Sequence, residues 1–134
     1  IITGQYNFAP DDLAYIAQNY IFLDHDQRYS SSGGVTYAID GNTKIGANYL
    51  FGSGLRKDGA VPNGLGLPSY FQLNLDVSHD FDLPQFGKLH TQLALINALD
   101  RTYELRDGTG VGVGAPQFGP RRGLFLTLQK DFSF

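Results

Sequence analysis

The chain of 134 residues contains no cysteine. Disulfide bonds and thiolate metal sites are therefore excluded, although an oxidising compartment is not. The chain also lacks any apolar run of the roughly 20 residues that a membrane-spanning helix requires. This second absence excludes helical membrane proteins only, because the strands of a membrane β-barrel show no more than an alternation of apolar and polar residues.

Charge is sparse and scattered along the chain. Ten Lys and Arg residues stand against thirteen Asp and Glu residues, for a formal net charge of −3. The balance of charge therefore does not indicate a surface for nucleic acid or another polyanion. No serine nucleophile has an identifiable base in the sequence, and we expect neither enzymatic activity nor a cofactor.

Alternation of apolar and polar residues is the main pattern that is present. From Leu124 to Phe134 most even positions are apolar, and most odd positions are small or polar. Because side chains on a strand point alternately to opposite faces, this segment has one apolar face and one polar face. Similar segments begin near Ile2, Tyr29, Ile45, Phe71 and Leu89. The chain is predicted to be all-β, with about six strands near the 9–11 residues of a tilted transmembrane strand.

The connections between these segments alternate in length. Asp40–Asn42 and 83–87 read as short turns, whereas 9–27, 57–69 and 101–120 are long links. Short periplasmic turns and long extracellular loops are typical of an antiparallel transmembrane β-barrel. We therefore expect a Gram-negative outer-membrane location, with the C-terminus on the periplasmic side. The polar residues expected to line the lumen are Gln72, Asn74, Asp76, Gln92, Thr127 and Gln129.

The first long link contains a predicted short helix over 10–20. Asp11 or Asp12 is expected to cap it, and Leu13 and Ile16 belong to its apolar stripe.

About six strands do not make a complete barrel, since the smallest single-chain barrels of this type have about eight. Lipid cannot satisfy the unpaired backbone groups at the edges of an open sheet. Either other chains complete the wall, or the chain is the C-terminal part of a longer protein. We favour the second interpretation, in which residues 1–134 are one part of a barrel.

Several segments resemble TonB-dependent outer-membrane receptors. Segment 93–105 resembles the "N-L-F-D-x-x-Y" segment before the last outer loop of that family, with Ala98-Leu99 in place of the usual Leu-Phe. Segment 119–123, followed by a strand to a terminal phenylalanine, resembles the family's closing strand. Segments 23–27, 33–37 and 51–56 resemble preceding barrel strands. The resemblance covers nearly the whole chain, in the order and spacing of the family.

This resemblance implies a barrel of about 22 strands with an N-terminal plug in its lumen. It implies a receptor that imports a scarce nutrient, such as a ferric siderophore, with energy from the TonB complex. The plug and the TonB-contacting segment are not in this chain. The implied partners are the rest of the receptor, the TonB complex through the plug, lipopolysaccharide and lipid, and a small-molecule ligand. The barrel assembly machinery would recognise the terminal aromatics Phe132 and Phe134, although Lys130 replaces the usual apolar residue there.

Arginines at the bases of the long links are the candidate ligand-binding residues. They are Arg56, Arg106, Arg121 and Arg122. Guanidinium groups suit ligands rich in carboxylates, so these side chains are candidates for attracting an anionic ligand to the vestibule. The alternative is ordinary surface charge and contact with lipopolysaccharide.

Two other motifs are rejected on physical grounds. The glycine-rich segment 108–114 is not followed by a sequence that starts a helix, which a phosphate-binding loop requires. Asp24, His25 and Asp26 have the chemistry of metal ligands, but adjacent residues on an extended chain point alternately and rarely converge on one ion. We predict an outer loop and no metal site.

Two alternatives to the transporter remain open. A passive outer-membrane porin would have the same strands but no plug upstream. A soluble antiparallel sandwich or barrel that acts as a binding module would turn the apolar face inward, and it would be a folded monomer without detergent.

Overall fold

The computed structural model describes residues 10–111 and 114–131. Its regular structure is almost entirely β-strand. The elements in chain order are α1 (Pro10–Ile16), β1 (Ser30–Ala38), β2 (Thr43–Gly52), β3 (Arg56–Lys57), β4 (Leu65–Gly66), β5 (Tyr70–Leu83), β6 (Gly87–Ile96), β7 (Glu104–Asp107), β8 (Pro116–Phe118) and β9 (Gly123–Lys130).

The five longest strands form one sheet in the order β1-β2-β5-β6-β9. β5 pairs with β6 and β6 with β9 in antiparallel register, so that Val77 lies opposite Leu93 and Leu93 opposite Leu126. The prediction of an all-β chain with antiparallel strands is confirmed. These strands match five of the predicted segments, while the segment that begins near Ile2 lies outside the described residues.

The register places most of the apolar side chains of β5, β6 and β9 on one face of the sheet, here called the apolar face; Phe125 lies on the other face. Leu75, Leu95 and Leu124 form one row across β5, β6 and β9 of this face. The opposite, polar face includes the row Ser78, Gln92 and Thr127. The residues predicted to line the lumen therefore share one face, and Asn74 on this face donates a hydrogen bond to Asn48 of β2 at 2.8 Å.

The apolar face remains exposed. Leu126 keeps 66% of its surface accessible, and Leu67, which is outside this sheet, is the single buried large apolar residue among the described positions. Soluble sheets bury one face against a second layer, because burial of each large apolar side chain stabilises the fold by about 1.5–3 kcal/mol. The described part of the chain provides no such second layer for the apolar face.

Short and long links alternate as predicted. In the first short turn the Asp40 carboxylate accepts hydrogen bonds from the backbone N–H groups of Asn42 and Thr43, both at 2.7 Å. In the second, Gly87 adopts a φ of +77°, which a glycine tolerates without steric cost. The short turns therefore hold adjacent strands of the sheet together.

The long links belong to a compact unit of their own. This loop unit comprises the described residues up to Ser30, together with Gly52–Tyr70 and Thr102–Gly119. The sheet unit comprises Ser31–Phe51, Phe71–Arg101 and the described residues from Pro120 onward.

The sheet is open within the described residues, since β1 and β9 are its two edges. Helix α1 is shorter than the predicted helix, and it ends at Ile16 instead of Tyr20. The prediction that Asp11 or Asp12 caps it is wrong. Pro10 begins the helix, so both carboxylates lie in the first turn, where they stabilise the positive end of the helix dipole. Among the described residues, no helix combines the length and hydropathy needed to cross a membrane.

Candidate functional site

Two short hairpins give the loop unit its regular structure. β3 pairs antiparallel with β4, so that Arg56 lies opposite Gly66. β7 pairs antiparallel with β8, with an irregularity in the register between Glu104 and Arg106. Each hairpin belongs to a different long link, and side chains join the links to one another.

Asn63 connects all three long links. Its side chain, which is almost fully buried, donates a hydrogen bond from Nδ2 to the Phe22 carbonyl at 2.9 Å. Its Oδ1 accepts from the Val111 backbone N–H at 3.0 Å. The Asn63 backbone N–H donates to the Asp58 carboxylate at 3.2 Å. The links are therefore tied together by polar groups that are satisfied inside the unit.

Asp24 pairs with two basic side chains of the loop unit. Its carboxylate lies 3.0 Å from the Arg106 guanidinium and 2.9 Å from His25 Nδ1. Asp26 does not pair with a basic side chain in the described part of the chain; its carboxylate accepts a hydrogen bond from the Leu23 backbone N–H at 3.1 Å. No group of three or more potential metal ligands occurs in the described ranges. The charge of Arg106, a candidate ligand-binding residue, is balanced by Asp24.

Arg121 is also paired. Its Nε and Nη2 donate to the two carboxylate oxygens of Asp100 at 2.8 and 2.7 Å, the bidentate geometry typical of strong guanidinium–carboxylate pairs. The Arg122 backbone N–H donates to the same carboxylate at 3.1 Å. Hydrogen bonding to Arg121, then to Arg122, holds the pKa of Asp100 far below its usual value. Arg121 therefore closes a turn of the sheet unit.

The Asp100 pair predicts a pH dependence that an Asp100→Asn variant will reveal. Because the folded-state pKa of Asp100 is depressed, its stabilising effect is fully present above the ordinary carboxyl pKa of 3.8. The effect is lost as the pH falls from there through the lower pKa of the folded state. Wild type is therefore expected to be more resistant to urea than Asp100→Asn at pH 6, and the difference should shrink below pH 4.

Urea titrations of both proteins at several pH values, followed by circular dichroism in detergent, measure this difference. Asn tolerates the φ of +49° at position 100, so the variant changes the charge with little effect on the backbone. A difference that stays constant from pH 6 to pH 2 would contradict the assignment.

The segment that carries the family resemblance forms a fully bonded turn after β6. Asn97 is completely buried, and its Nδ2 donates to the Arg101 and Pro120 carbonyls, each at 2.9 Å. Its Oδ1 accepts the Arg101 backbone N–H at 3.2 Å, and its own N–H donates to Asn74 Oδ1 at 3.0 Å. Asn97, the first residue of the segment that resembles "N-L-F-D-x-x-Y", thus fixes the turn from which the last long link begins.

Arg56 is the candidate arginine that lines a cavity. Its guanidinium carbon lies 3.7 Å from the centre of the Phe22 ring, in cation–π geometry. It borders an open cavity of about 300 Å³ in the loop unit. The residues that line this cavity are Arg28, Tyr29, Ser53, Gly54, Arg56 and Gly66.

Sequence reasoning missed Arg28, the second arginine at this cavity. The signal was present, because Arg28 lies between the first long link and β1, just as Arg56 lies shortly after β2. What the sequence did not reveal is that the two links converge. The structure therefore separates the four candidates into Arg56 at a cavity, Arg106 and Arg121 in ion pairs, and Arg122 in the turn at Asp100.

The remaining sequence predictions concern the chain ends and the glycine-rich segment. Phe132 and Phe134 lie outside the described residues. Of the glycine-rich segment, Gly108 and Gly110 both adopt a φ of +87°. The next element is strand β8, not a helix, which agrees with the rejection of a phosphate-binding loop.

Comparison of the chain with models of known protein families, with curated proteins and with solved structures gives no match. The function must therefore be inferred from the sheet, its two faces and the loop unit.

Proposed function

We propose that this chain is the C-terminal part of the β-barrel of a TonB-dependent outer-membrane transporter. The complete protein would import a scarce nutrient, such as a ferric siderophore. One observation carries this proposal: a five-stranded sheet whose apolar face stays exposed. The resemblance of segment 93–105 to the family then favours this kind of barrel over others.

The exposed apolar side chains form a continuous surface. On β9 alone, Leu124, Leu126 and Leu128 each keep 62–66% of their surface accessible. In water such a surface is unfavourable by roughly 25 cal/mol for each Å². Against hydrocarbon it carries no such penalty, and a lipid-facing apolar band is the usual outer surface of a transmembrane barrel. The apolar face therefore suits lipid as its environment.

The polar face suits a lumen that contains water or a plug. Gln72 donates to Asn74 Oδ1 at 2.8 Å, and the same oxygen accepts the Asn97 backbone N–H. Nearer the short turns, His90 Nδ1 lies 2.6 Å from the Asp80 carboxylate. Polar groups on this side bond to one another and can be wetted.

The open edges of the sheet support the larger assembly. β1 and β9 each lack a partner on one side within the described residues. In a membrane these backbone groups need neighbouring strands, because lipid offers no hydrogen bonds. Further strands of the same receptor would provide them and close the wall.

A passive porin shares the lipid-facing sheet and is the alternative. The turn built by Asn97 and Asp100 within segment 93–105 is the feature that favours the transporter. The reading frame upstream of Ile1 distinguishes the two. A plug-like region of more than about a hundred residues supports a transporter, whereas barrel strands without a plug support a porin.

The orientation of the two faces can be tested with single tryptophans, because the chain contains none. Leu126→Trp places the reporter on the apolar face, and Thr127→Trp places it on the polar face one residue away. After reconstitution of the protein that contains this chain into phospholipid vesicles, the emission that Leu126→Trp adds to that of wild type is expected to lie at shorter wavelength than the emission that Thr127→Trp adds. It should also be quenched several-fold more strongly by phospholipids brominated in the acyl chain.

The two variants are matched, because they place tryptophan at adjacent positions of the same strand and differ in the face that it occupies. Equal quenching of both, or stronger quenching of Thr127→Trp, would contradict a lipid-facing apolar surface. A chain that folds as a monomer without detergent, with Leu126→Trp shielded from aqueous iodide, would support the soluble sandwich instead.

A further inference from the structure

We propose that Arg28 and Arg56 form a binding site for an anion with two negative charges, held through carboxylate or phosphate oxygens. The site is the cavity of the loop unit described above. That such an anion is the imported ligand rests on the proposed transport function. The binding site itself stands on the charges and the geometry of the loop unit.

The two arginines at this cavity have no acidic partner among residues 10–111 and 114–131. Among the described residues, neither the Arg28 side chain nor the Arg56 side chain has a hydrogen bond or an ion pair, and the Arg56 guanidinium lies over the Phe22 ring. None of the residues that line the cavity is acidic. Asp24, whose backbone carbonyl accepts the Arg56 N–H at 3.1 Å, directs its carboxylate to Arg106 and His25. Two arginines therefore border one cavity without a counter-ion from the described residues.

The backbone around the cavity is fixed before any ligand binds. Tyr29 and Ser53 bond to each other twice: the Ser53 N–H donates to the Tyr29 carbonyl, and the Tyr29 N–H donates to Ser53 Oγ, both at 2.9 Å. The Phe22 ring supports the Arg56 guanidinium. A pre-ordered site loses less conformational entropy on binding, which favours affinity.

Gly66 leaves space beside Arg56. Residues directly opposite each other in an antiparallel pair project their side chains to the same face, and Arg56 and Gly66 are such a pair. An added Cβ at Gly66 would meet no atom within 4 Å. The absence of a side chain at position 66 therefore leaves the face next to Arg56 open to a ligand.

The size and charge of the cavity define the ligand class. Its volume of about 300 Å³ is at the lower end for small-molecule sites. Planar guanidinium groups bind carboxylate and phosphate oxygens in pairs. A small polycarboxylate, a phosphate monoester, or one anionic arm of a larger ligand fits this description.

The proposal is tested by calorimetric titration of the protein that contains this chain, in neutral detergent, with citrate and, separately, with inorganic phosphate. Wild type is expected to bind at least one of them. Arg28→Gln and Arg56→Gln should each weaken the affinity by about tenfold or more, as expected for the loss of a charge-assisted hydrogen bond. Arg101→Gln removes the same charge from an exposed side chain that does not line the cavity, and it should bind as wild type does.

Gly66→Leu provides a second test that leaves both charges in place. The added side chain should fill the space beside Arg56 and weaken binding, while circular dichroism shows an unchanged fold. Binding of citrate and phosphate by none of the proteins, or binding that Arg28→Gln and Arg56→Gln leave unchanged, overturns the site.

The anion can come from a soluble ligand or from the phosphates of lipopolysaccharide, and competition separates these sources. Lipopolysaccharide that displaces citrate only when it is phosphorylated identifies a lipid headgroup as an occupant. Citrate binding that lipopolysaccharide does not affect identifies a soluble ligand. Both outcomes support the anion site. Failure of the site leaves the quenching difference between Leu126→Trp and Thr127→Trp intact, whereas failure of the barrel proposal abolishes that difference.

Discussion

Asn97→Ala is expected to destabilise the folded chain by about 3 kcal/mol or more. The substitution removes the partners of the Arg101 and Pro120 carbonyls and of the Arg101 backbone N–H. Each hydrogen bond lost around this buried side chain costs about 0.5–1.5 kcal/mol, and three are lost at once. Alanine also disfavours the φ of +49° that residue 97 adopts. Urea unfolding in detergent, followed by circular dichroism, measures the change.

Two further variants separate these causes. Asn97→Gly tolerates the backbone conformation but removes the same hydrogen bonds, so it should recover only the part of the loss that is due to φ. Asn97→Asp keeps the shape and can still accept the Arg101 N–H, but it sets a carboxylate against two carbonyl oxygens. It should be at least as unstable as Asn97→Ala. A loss below about 1 kcal/mol for Asn97→Ala would show that these bonds do not hold the turn.

Gly54→Ala is expected to destabilise the loop unit by about 2–4 kcal/mol. Gly54 adopts a φ of +94°, and a Cβ there would collide with the Leu67 carbonyl oxygen. Leu67 is the buried apolar residue of this unit, and its N–H donates to the Leu55 carbonyl at 2.8 Å. The backbone must move to accept a methyl group, and that movement disturbs this packing. Limited proteolysis and urea unfolding both report the loss.

Gly66→Ala is the matched control for this change. Gly66 lines the same cavity, but a Cβ at this position is unobstructed and its φ is not positive. Its unfolding free energy should stay within about 1 kcal/mol of wild type. Equal effects of the two substitutions would mean that the backbone at position 54 is not under the constraint that the structure shows.

The strands were predictable because their signal is local. Alternation from Phe71 to Phe81 and from Leu124 to Leu128 reflects the period of two that every extended strand imposes on its side chains. The lengths of the links were equally visible in the positions of Gly, Pro and Asn residues. The boundary of α1 was less predictable, because short helices depend on few local interactions.

The candidate site was only partly predictable, because contacts between distant links leave no local pattern. Sequence reasoning proposed Arg56, Arg106, Arg121 and Arg122 on equal terms. In the structure, Arg106 meets Asp24 and Arg121 meets Asp100, and each of these partners is many positions away. Arg28 and Arg56 border the same cavity although they are far apart in the sequence, so no local pattern could pair them.

The sequence by itself determined that the chain is made of amphipathic antiparallel strands with short and long links in alternation, because strand periodicity and turn chemistry are properties of neighbouring residues. The tertiary structure alone decided that the apolar face has no covering layer in the described part of the chain. It also decided which arginines pair with a carboxylate and which two border a cavity. Burial and ion pairing depend on residues brought together by folding, and their separation along the chain hides them from sequence patterns.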